Sequence, residues 1–248
     1  MKKLTAFILT TALMLSLSAC SERGTNSEEE ERTSRPKSTA DKSDKNSDNT
    51  NFYTDVSIGD TIQFGEYDWK VLGIQDDRAL IITDRIIERR LYHEENMDIT
   101  WADCDLREYL NGELYNSFNE NDKERIIKVT NQNLDNRWFG TNGGVDTQDF
   151  IFLLSVEEVA EYFGDSGQIN ADVIEFDGGL DDEYNSERIA KELGKHYTWF
   201  WVLRSPGRLA SRSLIVDAAG RVNSVGREVR NSSSDVTGVR PALWLSLE

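Results

Sequence analysis

The residues that could do chemistry gather in a few stretches of this chain. Gly164-Asp165-Ser166-Gly167 repeats the four residues around a serine nucleophile, but such a serine needs a base within hydrogen-bond reach and an acid to orient it. The two histidines, His93 and His196, stand in no matching context, so the segment reads as a helix C-cap and a turn. Asp172, Glu175, Asp177, Asp181, Asp182 and Glu183 surround Gly178-Gly179 with carboxylates, the hard oxygen ligands that calcium takes. With Gly178 at the sixth loop position, however, Val173 and Tyr184 fall where an EF-hand loop needs acids. The run reads first as a solvated acidic loop, with Asp177, Asp181, Asp182 and Glu183 as the ligands it would offer to calcium. Arg107, Arg204 and Arg240 stand in apolar or tightly turning stretches, where a guanidinium must find carboxylates or carbonyls. Structural pairing is the first reading; converging on a cleft, Arg204 and Arg240 would instead hold an anionic or sugar ligand. Trp199 and Trp201 alternate along one run, and so predict a shared strand face, either core or a stacking platform for sugar rings, an ambiguity Trp244 shares. Gly140-Thr141-Asn142-Gly143-Gly144 lacks the ending of a phosphate loop and reads as a turn. No Cys-x-x-Cys or His-x-x-x-His spacing supports zinc or haem.

The elements that must position these residues are legible from periodicity and punctuation. Residues 61–64, 69–74 and 79–83 are β-rich runs separated by turn signals and predict a three-stranded meander. Thr100-Trp101-Ala102-Asp103 reads as a capping box opening a helix that carries Leu106, Tyr109 and Leu110 and ends near Asn111-Gly112, with a second short helix over 113–118. Ile126 to Val129 reads as a strand, and the apolar run Phe150 to Leu154 as a buried one. Ser155-x-x-Glu158 is a second capping box, for a helix carrying Val156, Val159, Ala160 and Phe163 and stopped by Gly164. Asp165 to Glu187 reads as an exposed loop, followed by a short helix over 186–193. Strands return at 197–203, 213–216, 221–225 and 239–247. The class is therefore α+β: one loop-rich domain over residues 52–248, mostly antiparallel sheet with two or three short helices, its N- and C-terminal strands joining one sheet.

Ahead of that domain the chain reads differently. Lys2 and Lys3 precede an apolar stretch, Leu4 to Leu17, too short to span a bilayer comfortably. Leu17-Ser18-Ala19-Cys20 resembles the bacterial lipobox, which implies a signal peptide over 1–19, cleavage before Cys20 and lipid on its thiol. Anchoring by two or more acyl chains would be stable. Residues 20–51 are polar, carry one proline and no apolar cluster, and predict a disordered tether reaching roughly 30 Å. The expected address is the extracytoplasmic face of a bacterial membrane. With Cys20 lipidated, Cys104 is left without a disulfide partner. The formal charge of −17 argues against a nucleic-acid partner.

Thr100-Trp101, Leu106-Arg107 and Leu110-Asn111, the segment Asp149 to Ser155, Leu203-Arg204-Ser205-Pro206-Gly207 and Gly238-Val239-Arg240-Pro241-Ala242-Leu243 together resemble the motifs of an uncharacterised bacterial surface-domain family. More distantly, the closing order of motifs is similar to the formylglycine-generating-enzyme and C-type-lectin-like folds. That resemblance implies a fold and not a function. The copper-binding cysteine pair of the former is absent, since the domain has Cys104 alone, and neither Pro206 nor Pro241 stands in a calcium-binding lectin motif. The expected function is a non-catalytic binding module for an envelope or extracellular protein or glycan. The alternatives are an envelope hydrolase using paired carboxylates and a structural accessory lipoprotein.

Overall fold

The computed structural model describes residues 55–174, 178–230 and 236–248. The expected signal segment, Cys20, the tether, Glu175 and Asp177 lie outside them. Thr61–Phe64 (β1), Tyr67–Gln75 (β2) and Arg78–Thr83 (β3) form the expected antiparallel meander. The β2–β3 turn is made by Asp76, whose left-handed φ of 54° is one that aspartate tolerates. Glu88–Arg90 (β4) is followed by three short helices, Asp105–Tyr109 (α1), Tyr115–Ser117 (α2) and Glu120–Arg125 (α3). Ile126–Ile127 (β5), Val129–Asn131 (β6) and Thr147–Asp149 (β7) lead to the helix Val156–Phe163 (α4). Gly179–Leu180 (β8), Asn185–Arg188 (α5), Ala190–Lys191 (β9) and Thr198–Trp199 (β10) precede the C-terminal strands. Those are Trp201–Pro206 (β11), Arg212–Val216 (β12), Val222–Glu228 (β13), Thr237–Val239 (β14) and Ala242–Ser246 (β15).

The class is α+β, a single loop-rich domain of several antiparallel sheets and few short helices. One sheet runs β1-β2-β3-β15-β5, so the last strand pairs with the N-terminal meander as the sequence led us to expect. The other runs β4-β14-β11-β12-β13-β8, antiparallel except where β11 meets β14. Trp69, Val71, Ile81 and Leu243 of the first sheet and Trp201, Leu203, Leu214 and Val239 of the second belong to one buried apolar cluster. Among the described residues no helix is long and apolar enough to cross a membrane.

Four local expectations are corrected. Thr100 does not cap a helix: its hydroxyl lies 3.3 Å from the Asp103 carboxylate and caps no backbone N–H. A short turn at Trp101–Asp103 opens instead, and helical chain continues past Gly112 through a wide π turn at Leu110–Leu114 to Ser117. The apolar run 150–154 is buried but not a strand; it makes one bridge, Phe152 to Ala242. The Leu154 carbonyl accepts from Arg204 backbone N–H at 3.0 Å, and side chains serve other backbone groups of the run. Asn111 accepts from Phe150 N–H at 2.7 Å and donates to the Ile151 carbonyl at 2.9 Å, and Arg204 donates to the Leu153 carbonyl at 2.7 Å. The expected strand over 239–247 breaks at Arg240-Pro241 into β14 and β15, in different sheets, because proline has no N–H to continue a ladder. The stretch 165–187 is less exposed than expected, for it contributes the fully buried Ile169 and an Asp182 side chain 1% exposed.

Candidate functional site

The motif residues converge on a buried carboxylate. Asp149, at the end of β7, is fully buried and accepts five hydrogen bonds. Its Oδ2 takes Trp101 Nε1 at 3.1 Å, Asn131 Nδ2 at 2.9 Å and the Thr147 hydroxyl at 2.7 Å. Its Oδ1 takes Arg107 Nε at 2.6 Å and Asn111 Nδ2 at 3.4 Å. Trp101, Arg107 and Asn111 are thus delivered by one irregular helical segment to one acceptor. A buried carboxylate is tolerable only when paired and saturated with donors, and this one is.

Asn131 connects that centre to a polar cleft. About 440 Å³ of open space lies between β6, the following loop, the N-terminus of α4, Arg204 of β11 and Trp244 of β15. Thr130, Asn131, Gln132, Asp146, Glu157 and Glu158 supply its polar wall. The capping box expected at Ser155 is present: Ser155 accepts from Glu158 N–H at 3.2 Å, and Glu158 accepts from Ser155 N–H at 2.8 Å. Glu158 also forms a bidentate pair with Arg204 Nη1 and Nη2, the latter at 2.8 Å. Arg204 is 4% exposed, and Ser205 beside it accepts from Val156 N–H, so β11 and α4 are locked together under the cleft. Asp146, whose Oδ1 accepts from Asn133 N–H at 3.3 Å, and Glu157 also line the open space.

The other candidates fall elsewhere. Arg107 and Arg204 find carboxylates, but Arg240 does not: it donates from Nε to the Thr83 carbonyl at 2.9 Å and lies between the rings of Phe163 and Trp201, while Nη1 has no acceptor. Removal from water pushes its pKa down to about 10. Trp201 is core, donating to the Arg188 carbonyl at 3.0 Å. Trp199 is half-buried on β10, in a different sheet, under the Arg89 guanidinium at 3.9 Å. The strand face expected to be shared by the two tryptophans is therefore split, and Arg204 and Arg240 do not line one cleft.

The acidic residues behave as structural partners. Asp182 forms a buried bidentate pair with Arg188 at 2.9 and 2.8 Å, Asp181 accepts from Asn185, and Glu183 accepts from Ser166 at 3.2 Å. Among the described residues no group of three His, Cys, Asp or Glu side chains gathers as a metal cluster. In Gly164-Asp165-Ser166-Gly167, Asp165 ties down Ile169 N–H at 2.9 Å and Asn170 N–H at 3.0 Å, the turn that was expected. Gly164 is required there: a Cβ would lie 2.3 Å from the Tyr184 ring. Cys104 is buried, and burial pushes its thiol up to about 12, far from thiolate reactivity. Asp146, Asn131, Glu157 and Arg188 escape sequence reasoning because they sit in no motif. Asp149 lay inside a quoted motif, and buried-charge accounting on Arg107 was the signal that could have paired them.

A family described as Domain of unknown function (DUF6273) matches residues 76–247 of the chain. No curated protein and no solved structure matches it.

Proposed function

We propose, for a chain that belongs to the DUF6273 family, a non-catalytic binding module that recognises a glycan in the cleft between β6, α4 and β11. The observation that carries this reading is the lining of the cleft. Carboxylates, amides and a hydroxyl line it together with Trp244, over an arginine whose charge Glu158 already balances. Hydroxyl-rich sugars need such a mixture of acceptors, donors and an aromatic surface, and about 440 Å³ falls in the range of small-ligand sites. Glu158 has both oxygens committed, so it positions neighbours rather than moving protons. The same proposal puts the module on the extracytoplasmic face of a membrane, held by lipid on Cys20 and a flexible tether; the lipobox-like ending at Cys20 supports it. Kinship with the C-type-lectin-like fold is part of the proposal, supported by the pairing of β15 with the N-terminal meander.

The test is binding of the purified chain to cell-wall sacculi and to neutral oligosaccharides, with calcium and with chelator. Saturable binding is expected, weakened about tenfold, or roughly 1.4 kcal/mol, by Glu157→Gln. Loss of binding in chelator would assign a cation to the acidic loop around Gly178. Turnover of the glycan that Glu157→Gln or Asp146→Asn abolishes would replace the binding module with a hydrolase.

A further inference from the structure

The surface formed by β4 and the β9–β10 pair runs against the formal charge of −17. Its centre is Arg89 on β4, whose guanidinium stacks 3.9 Å from the Trp199 ring and donates to Glu192 at 2.6 Å and to the Tyr197 hydroxyl at 3.1 Å. Trp199 stacks in turn on Phe200, with centroids 5.2 Å apart, and Arg227 covers Phe200 at 4.4 Å. On the other side Arg85 donates to the Lys195 carbonyl, and Arg85 and Lys191 line one small hollow with Asp84. The result is a continuous line of rings and cations. Arg85, Arg89, Lys191 and Lys195 stand with Asp84 and Glu192, four cations to two carboxylates. Glu88 and Arg90, which alternate with Arg89 along β4, point the other way and pair with each other at 3.0 Å. Burial alone would raise Glu192, but the Tyr197 hydroxyl and Arg89 outweigh it and hold its carboxyl below the usual range, so the pair is ionised at neutral pH.

The ends of the line are open. Tyr197 is 48% exposed, as is Leu193, and Lys191, Lys195 and His196 are exposed beside them. Charge separated by more than about 8 Å is screened at physiological salt, so a ligand lying on this face meets the local excess of cations before the acidity of the whole chain. We propose that this face docks an acidic polysaccharide, a sugar chain carrying about one carboxylate or phosphate per repeat. Guanidinium and ammonium groups hold the acids, and the exposed Tyr197 ring and the Trp199 edge meet the sugar faces. Double-stranded DNA carries roughly one charge per 1.7 Å and would bring more phosphate than four cations balance, against the repulsion of an acidic remainder. The sparser polymer matches the number of cations.

The experiment is binding of the full chain, in detergent micelles, to polygalacturonate at about 50 and 200 mM salt, with duplex DNA as the competing probe. Saturable binding to polygalacturonate that weakens about tenfold or more at the higher salt is expected. Lys195→Glu changes an exposed side chain and leaves thermal melting in place, yet should lower affinity about tenfold, one decade being about 1.4 kcal/mol. Arg89→Lys keeps the charge and gives up the stacked plane, and should lose less than Arg89→Glu. Absence of binding, affinity indifferent to both Lys195→Glu and Arg89→Glu, or stronger binding to duplex DNA would each overturn the proposal.

Discussion

Asp149 and Arg240 are both buried charges, and they are solved in opposite ways. Asp149 is closed: five donors from three segments fill both of its oxygens, and one of them is a guanidinium. Arg240 is open: one carbonyl, two ring faces and a donor without an acceptor. The difference teaches which buried charge organises the domain. Removing a saturated carboxylate leaves several donors stranded at once, whereas removing a half-satisfied cation also removes its own desolvation cost. Asp149 therefore acts as a fastener joining Trp101, Arg107 and Asn111 to β6 and β7. Arg240 acts as a polar wedge at the point where Pro241 sends the chain from one sheet to the other.

The largest expected effect is Asp149→Ala, which should cost about 3–5 kcal/mol in urea unfolding by stranding buried donors. A loss under about 1 kcal/mol would erase the distinction between the two sites. Arg240→Met should cost less, within about 1.5 kcal/mol, because a flexible apolar side chain of similar length fills the gap between Phe163 and Trp201. The pair sharpens at high pH. With a folded pKa of about 10, lowered from the ordinary arginine value by burial, the unfolded state binds more protons as pH rises above about 10, so wild type should gain stability relative to Arg240→Met over that range. Asp165 supplies the smallest effect. Burial would raise its carboxyl, but the N–H groups of Ile169, Asn170 and Gly167 outweigh that and hold it below 3.8. Its contribution is present above 3.8 and is lost as pH falls through the lower folded value, so Asp165→Asn should converge with wild type in melting temperature under strongly acid conditions.

The meander, the capping box at Ser155, the stop at Gly164 and the α+β class follow from local signals: turn residues, β-branched runs and helical spacing of apolar side chains. These are short-range preferences, and the residues that express them are neighbours in the chain. The candidate site was legible only in part. Arg107 and Arg204 were expected to seek carboxylates, and both did, but nothing local identifies Asp149, 42 residues from Arg107, as one partner. Glu158 likewise looked like a capping residue and nothing more until β11 brought Arg204 beneath it. The run 150–154 has the composition of a strand, yet Asn111 and Arg204 took the hydrogen bonds a neighbouring strand would have made. Sequence by itself determined which charges had to be paired and where chain elements begin and stop. Only the tertiary structure decided the pairs, the cleft and the basic face, because each depends on side chains from distant segments meeting in one place, and burial then makes their hydrogen bonds obligatory.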